Sequence, residues 1–347
     1  MDHTTSNPIT PSTQSGEPVE PRESPYWLSE ELQPAVLPKP SYRVPIILFA
    51  LTVVTTLFAG ATQQGANPFR EPLSLLKGIP FSFTLLAILL THEFGHYFTS
   101  RYHKVPATLP YFIPAPSFIG TFGAFIRMTS PILKKNAIFD IGISGPIAGF
   151  VVAIVAVVAG LELSTIIKTS SMEGIKLGSP LIFSWLSHLI LGDPGEGYDI
   201  LLHPIAFAGW IGLFVTSLNL IPIGQLDGGH VVYALFGEKH SFISLAMIPI
   251  LLWLGYVGWS GWFLWAFLPL IFGLRHPPVL DKDKPLDRRR IIVGWMGLTM
   301  FVVTFIPVPF SFQIRHPPAN VPLAQHASAR TDTSTIKLPF VLPSRLP

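Results

Sequence analysis

Residues Val44–Thr62 read VPIILFALTVVTTLFAGAT, nineteen positions without a charged side chain. A helix rises about 1.5 Å per residue, so a run of this length crosses a hydrocarbon layer roughly 30 Å thick. A helix is also the form in which one segment satisfies all its own peptide groups away from water. Six further apolar runs follow at about 80–100, 139–161, 205–224, 241–257, 259–274 and 291–310. The 347-residue chain is 49% hydrophobic and only 12% charged, against about 25% charged in soluble domains. The expected fold class is therefore an all-α polytopic membrane protein with six or seven transmembrane helices. The range reflects the fifth and sixth runs, which are short and separated only near Gly258. They form either a tight hairpin or one broken span. The stretch LIFSWLSHLILG, residues 181–192, is too short to span and reads as an interfacial helix.

Composition narrows the function. A formal charge of +3 gives no argument for nucleic acid as a partner; the expected surroundings are a lipid bilayer. Cysteine is absent, which removes disulfides, thiolate catalysis and cysteine metal sites. Any metal must be held by His, Asp or Glu. Residues 1–43 are rich in Pro, Ser, Thr and Glu and lack the basic and apolar regions of a signal peptide. They read as a disordered tail, 44–310 as the membrane-embedded domain, and 311–347 as a second disordered tail.

Charge placement sets an orientation. Arg101, Lys104, Arg127, Lys134 and Lys135 follow the second run, and Arg275, Lys282, Lys284 and Arg288–Arg290 follow the sixth. The loop between the third and fourth runs carries Glu162, Glu173, Asp193, Glu196 and Asp199 instead. Basic loops stay on the cytoplasmic side, so the amino terminus is expected inside and the acidic loop outside. The compact chain and the lack of a plastid leader point to a bacterial inner membrane.

The second run ends LLTHEFGHYF, with His92 and His96 four residues apart. On a helix that spacing sets both imidazoles on one face, about one turn apart, able to share one zinc ion. Glu93 lies beside the first imidazole, where it can take a proton from water and return it to a leaving amine. H-E-x-x-H patterns also arise by chance, but ionisable groups inside a membrane span are expensive unless they serve a purpose. Catalytic zinc keeps three protein ligands. Asp140, Asp227 and His230 are the candidates for the third. Asp227 is favoured because it lies in a Pro/Gly-rich break after the fourth run, TSLNLIPIGQLDGGHV, on the same side as the histidines. Irregular backbone at membrane depth is tolerated where it is buried in protein or lines a wet cavity. The alternative for Asp227 is a helix cap.

The pair HEFGH and NLIPIGQLDGGH resembles the site-2 protease family of intramembrane metallopeptidases. The resemblance implies that His92, His96 and Asp227 hold one Zn2+ per chain and that Glu93 is the catalytic acid/base. It also implies that Asn219 polarises the scissile carbonyl or holds the substrate strand. ISGPIAGF, residues 143–150, resembles the glycine-rich entry of the family's middle core helix, and GTFGAFIRMTSP, residues 120–131, its strand-like segment. The implied architecture is a three-helix catalytic core at about 80–230 with a small β-hairpin or re-entrant segment. The implied partners are membrane-protein substrates with a transmembrane helix, cut by regulated intramembrane proteolysis, with the active site toward the cytoplasm. Two departures stand out. Gly224 and Gln225 occupy a stretch where some relatives carry a further proline, and the loops are too short for an inserted PDZ domain. Two other classes compete: a transporter using the intramembrane polar groups, which does not explain the paired histidines, and a non-catalytic relative that binds membrane helices.

Overall fold

The computed structural model describes residues 42–168, 174–273, 279–281, 283–313 and 340–342. The two proposed tails fall mostly outside these residues, as do Glu173, Arg275, His276 and Lys282.

Each apolar run forms a helix. They are α1 (Arg43–Gln63), α2 (Ile79–Tyr102), α3 (Lys135–Glu162), the short α4 (Leu181–Leu191), α5 (Pro204–Asn219), α6 (Asp227–Phe236), α7 (His240–Val257), α8 (Gly261–Phe272) and α9 (Arg288–Thr304). Among the described residues, four helical stretches are long and apolar enough to cross a membrane: Arg43–Gln63, Pro72–Tyr102, Lys135–Glu162 and Asp227–Val257. This is the pattern of a membrane protein, but the expected six or seven full spans are not met by length. Helix α5 has 16 residues and α8 only 12. The α7–α8 region is a hairpin of two packed helices rather than one interrupted span.

Helix α3 is the centre of the bundle and packs most extensively on α2 and α5. Small residues allow this. A methyl group at Gly209 of α5 would lie 2.8 Å from Val157, and one at Gly212 would lie 2.9 Å from Ile88. Without a hydrophobic force between helices in lipid, such close backbone approach supplies the packing energy. Phe81, Leu85, Val157, Phe207 and Trp210 fill the shared core, and Trp210 Nε1 donates to Gly178 O at 2.8 Å. The outer faces remain apolar: Ile46, Val54, Val155, Trp253 and Phe267 are all exposed. A surface of that kind suits hydrocarbon rather than water.

Two small sheets accompany the helices. Strand β1 (Tyr111–Pro114) pairs antiparallel with β2 (Thr121–Phe125), as expected for the strand-like segment. Thr55 of α1 donates to Gly120 O at 2.6 Å and Gln63 to Phe118 O at 2.7 Å, which fastens this hairpin to the first helix. The second sheet departs from the all-α expectation. It orders β3 (Thr165–Lys168), β5 (Tyr198–Leu201), β7 (Phe340–Leu342), β4 (Gly174–Leu177) and β6 (Phe310–Gln313). Its strands have three or four residues each, too few for alternation to be read. Two of them lie within or at the edge of the stretch read as the second tail.

Candidate metal centre

Helix α2 buries one face against α3, and that face carries His92 and His96, with relative exposures of 4% and 6%. Their Nε2 atoms lie 3.1 Å apart. Room for the rings comes from α3. A methyl group at Gly145 would overlap the His96 imidazole, and one at Gly149 would lie 3.1 Å from Cβ and Nδ1 of His92. The GPIAG stretch thus provides space for imidazoles as well as close helix contact. His96 Nδ1 lies 2.7 Å from Ile141 O. As donor to that carbonyl, Nδ1 fixes the tautomer and leaves the Nε2 lone pair directed inward.

Asp227 arrives from the other side. It opens α6 directly after the break at 220–226. A methyl group at Gly228 would overlap Leu220 O, and one at Gly229 would lie 2.8 Å from Ile223 O. Glycine therefore lets the start of α6 fold back on the carbonyls of its own turn, which sets the direction of the Asp227 side chain. Its Oδ2 lies 3.3 Å from His92 Nε2 and 3.2 Å from His96 Nε2. Zinc binds nitrogen and oxygen at about 2.0–2.1 Å in tetrahedral geometry, so its donors stand roughly 3.3 Å from one another. The observed edges of 3.1, 3.2 and 3.3 Å fit one face of such a tetrahedron. The donor set of two imidazoles and a carboxylate also suits zinc.

The other sequence candidates go elsewhere. Asp140 accepts from Arg290 Nε at 2.7 Å and Nη2 at 2.6 Å and pairs with His103 at 2.8 Å, so it belongs to a separate charge cluster. His230 lies against Gly142 of α3 rather than in the three-donor group. Glu93, 5% exposed, lies beside the backbone of Ile126, just past β2. Asn219 ends α5 with its Nδ2 3.1 Å from His92 Nε2. A cavity of about 210 Å3 joins these groups, lined by His92, Glu93, Asn219, Thr121, Gly123 and Phe214. One wall is therefore the β2 segment.

Sequence reasoning missed the group that holds the break. A histidine between two apolar runs is ordinarily solvated, yet His240 is fully buried. The turn into α7 folds it inward, and its Nε2 lies 3.1 Å from Ser244 Oγ. That hydroxyl accepts the Gly224 N–H at 3.2 Å, so α7 braces the turn from which Asp227 projects. The only available signal was the i, i+4 spacing of His240 and Ser244. His203 instead caps α5, accepting from Ile205 N at 3.3 Å, and burial pushes its imidazole below the ordinary range.

These features define a helical membrane protein whose paired helix histidines and inter-helix carboxylate form a potential metal site. Residues 80–255 match Peptidase family M50, and the chain belongs to that family, which includes the site-2 proteases. Among similar curated proteins, "Probable zinc metalloprotease EGY1, chloroplastic" of Arabidopsis thaliana is 30% identical over 297 residues, covering 77% of this chain and 53% of the relative. "Probable zinc metalloprotease EGY2, chloroplastic" of the same plant is 27% identical, covering 76% and 49%. The EGY2 protein of Oryza sativa subsp. indica is 28% identical, covering 82% and 53%. The chain thus spans about half the length of these relatives. Their names place them in chloroplasts, which lends no support to the expected bacterial inner membrane. No solved structure gives a significant match.

Proposed function

We propose that this protein is a zinc metalloendopeptidase that hydrolyses peptide bonds in or near the transmembrane segments of other membrane proteins. The single observation that carries the reading is the meeting of His92, His96 and Asp227 within 3.1–3.3 Å beside a buried Glu93. The metalloprotease names of the relatives point the same way. Depth supports the membrane substrate: Gly145 and Gly149 face the imidazoles ten and fourteen residues into α3, about 15–21 Å along its axis.

His92, His96 and Asp227 would hold one zinc ion per chain, which would supply Lewis-acid activation of water and carbonyl. Glu93 takes the proton of the attacking water and delivers it to the departing amine. The Asn219 amide donates to the carbonyl oxygen as charge develops there. Leu85, Phe214 and Leu218 wall the cavity with apolar surface, which strengthens these polar interactions by excluding water. A substrate helix hides its carbonyls in its own hydrogen bonds and must unwind first. The β2 edge beside Glu93 suits an unwound segment, which pairs with it by strand addition. The bilayer we assign is a bacterial inner membrane, with the site toward the side of the basic loops; membrane fractionation of the native host tests this.

The decisive experiment compares wild type with Glu93→Gln on a model transmembrane substrate, with zinc content measured on both. The variant is expected to keep its zinc and lose at least about a hundredfold in rate. Cleavage by Glu93→Gln at the wild-type rate would remove Glu93 from the reaction.

A further inference from the structure

A groove of about 870 Å3 opens where the end of α2 meets the first half of α3 and the start of α9. It is separate from the cavity at Glu93. Its lining changes along α3, where Asp140, Ile143, Ile147 and Ala148 follow one another on a single helical face. The mouth is charged and the floor is apolar, with Val293 of α9 completing the floor.

The charges at the mouth are unequal in availability. The Arg290 guanidinium is spent on Asp140, at 2.6 and 2.7 Å, and on Asp287. His103 also bonds Asp140. Both carboxylates are thereby satisfied, and Asp287 Oδ1 additionally accepts the Arg290 N–H at the start of α9. Arg288 and Arg289 are exposed and make no ion pair among the described residues. Two cationic forks therefore stand over the mouth, and guanidinium groups match phosphate geometry well. The residues around the mouth have the composition of a membrane interface. Tyr102, 80% exposed, marks it on α2, and beyond the arginines α9 continues with exposed Ile292, Trp295 and Met296.

We propose that this groove binds one anionic phospholipid, with its phosphate on Arg288 and Arg289 and an acyl chain along Ile147, Ala148 and Val293. A charged mouth over an apolar floor complements an amphiphile, whereas a soluble phosphate needs only the mouth. Basic pockets between transmembrane helices hold acidic head groups in this way. The inference does not depend on peptidase activity.

The test is native mass spectrometry of the full chain in neutral detergent, titrated with phosphatidylglycerol or with phosphatidylcholine of the same acyl chains. One phosphatidylglycerol per chain is expected, at least about tenfold tighter than phosphatidylcholine, and Arg288→Gln/Arg289→Gln should weaken it about 30-fold. Arg101→Gln/Arg127→Gln, exposed arginines outside the groove lining, should leave it unchanged. Ile147→Trp should also weaken retention by filling the floor. Equal retention of the two lipids, undiminished binding by the Arg288/Arg289 variant, or equal loss in the control pair would overturn the proposal. So would displacement of the lipid by inorganic phosphate at matching concentration, which would indicate a soluble-phosphate site instead.

Discussion

Replacing Gly145 by alanine tests whether α3 shapes the metal centre. The added methyl group would fall on the His96 ring, and the acceptor for that ring's other nitrogen, Ile141 O at 2.7 Å, lies on α3 as well. His96 cannot yield without losing this bond or leaving its rotamer. Breaking a buried hydrogen bond costs about 1–3 kcal/mol and an off-rotamer side chain about 0.5–1.5 kcal/mol. Where both are lost the cost is roughly 1.5–4.5 kcal/mol, or about 10- to 1500-fold in zinc affinity at tenfold per 1.4 kcal/mol. Gly149→Ala provides the graded comparison. Its methyl group would meet His92 at 3.1 Å, a contact relieved by a shift of a few tenths of an ångström, so the loss should stay under about tenfold. Competition with a fluorescent zinc chelator in detergent measures both, and far-ultraviolet circular dichroism confirms that each variant is folded. Wild-type zinc affinity in folded Gly145→Ala, or a larger loss in Gly149→Ala, would refute the placement of α3 against the imidazoles.

Three other outcomes follow from the same geometry. His96→Ala and Asp227→Ala should each lose the zinc expected at one per chain in wild type, since each removes one corner of the donor face; elemental analysis of the purified proteins reads this directly. Asn219→Ala should keep zinc while its turnover of a transmembrane substrate drops about 100- to 1000-fold, and an unchanged rate would exclude carbonyl stabilisation by that amide. Ser244→Ala strips the acceptor from Gly224 N–H and one partner from His240. Thermal unfolding in detergent should show a loss of about 1–3 kcal/mol, with weaker zinc retention because the turn carrying Asp227 loosens.

How far the site could be read from the sequence depended on the range of the physics involved. The face shared by His92 and His96 is a local property of helix period, and so is the location of each apolar run. Asp227 required a second argument: a break rich in Pro and Gly is tolerable within a membrane protein only if something useful lines it. The second sheet escaped because its pairs join residues as distant as Ile175 and Phe340 through strands too short to carry a pattern. His240 escaped for the reverse reason. A histidine near a helix end is usually wet, and only the fold of α6 onto α7 buries it.

The break itself shows why one carboxylate rather than another meets the histidines. Asp140 is also an acid near the basic end of a core helix, but it starts on α3, where Arg290 and His103 reach it first. Asp227 starts a helix whose first turn is pressed onto the carbonyls of residues 220–224, with glycine at the two positions that touch them. Any side chain at Gly228 or Gly229 would lift α6 from the turn and carry the carboxylate away from the imidazoles. The LDGG sequence is thus a packing instruction as much as a ligand motif. Gly228→Ala should therefore separate the two roles, weakening zinc binding although all three donors are still present. If that variant folds and holds zinc as tightly as wild type, the turn does not set the position of Asp227.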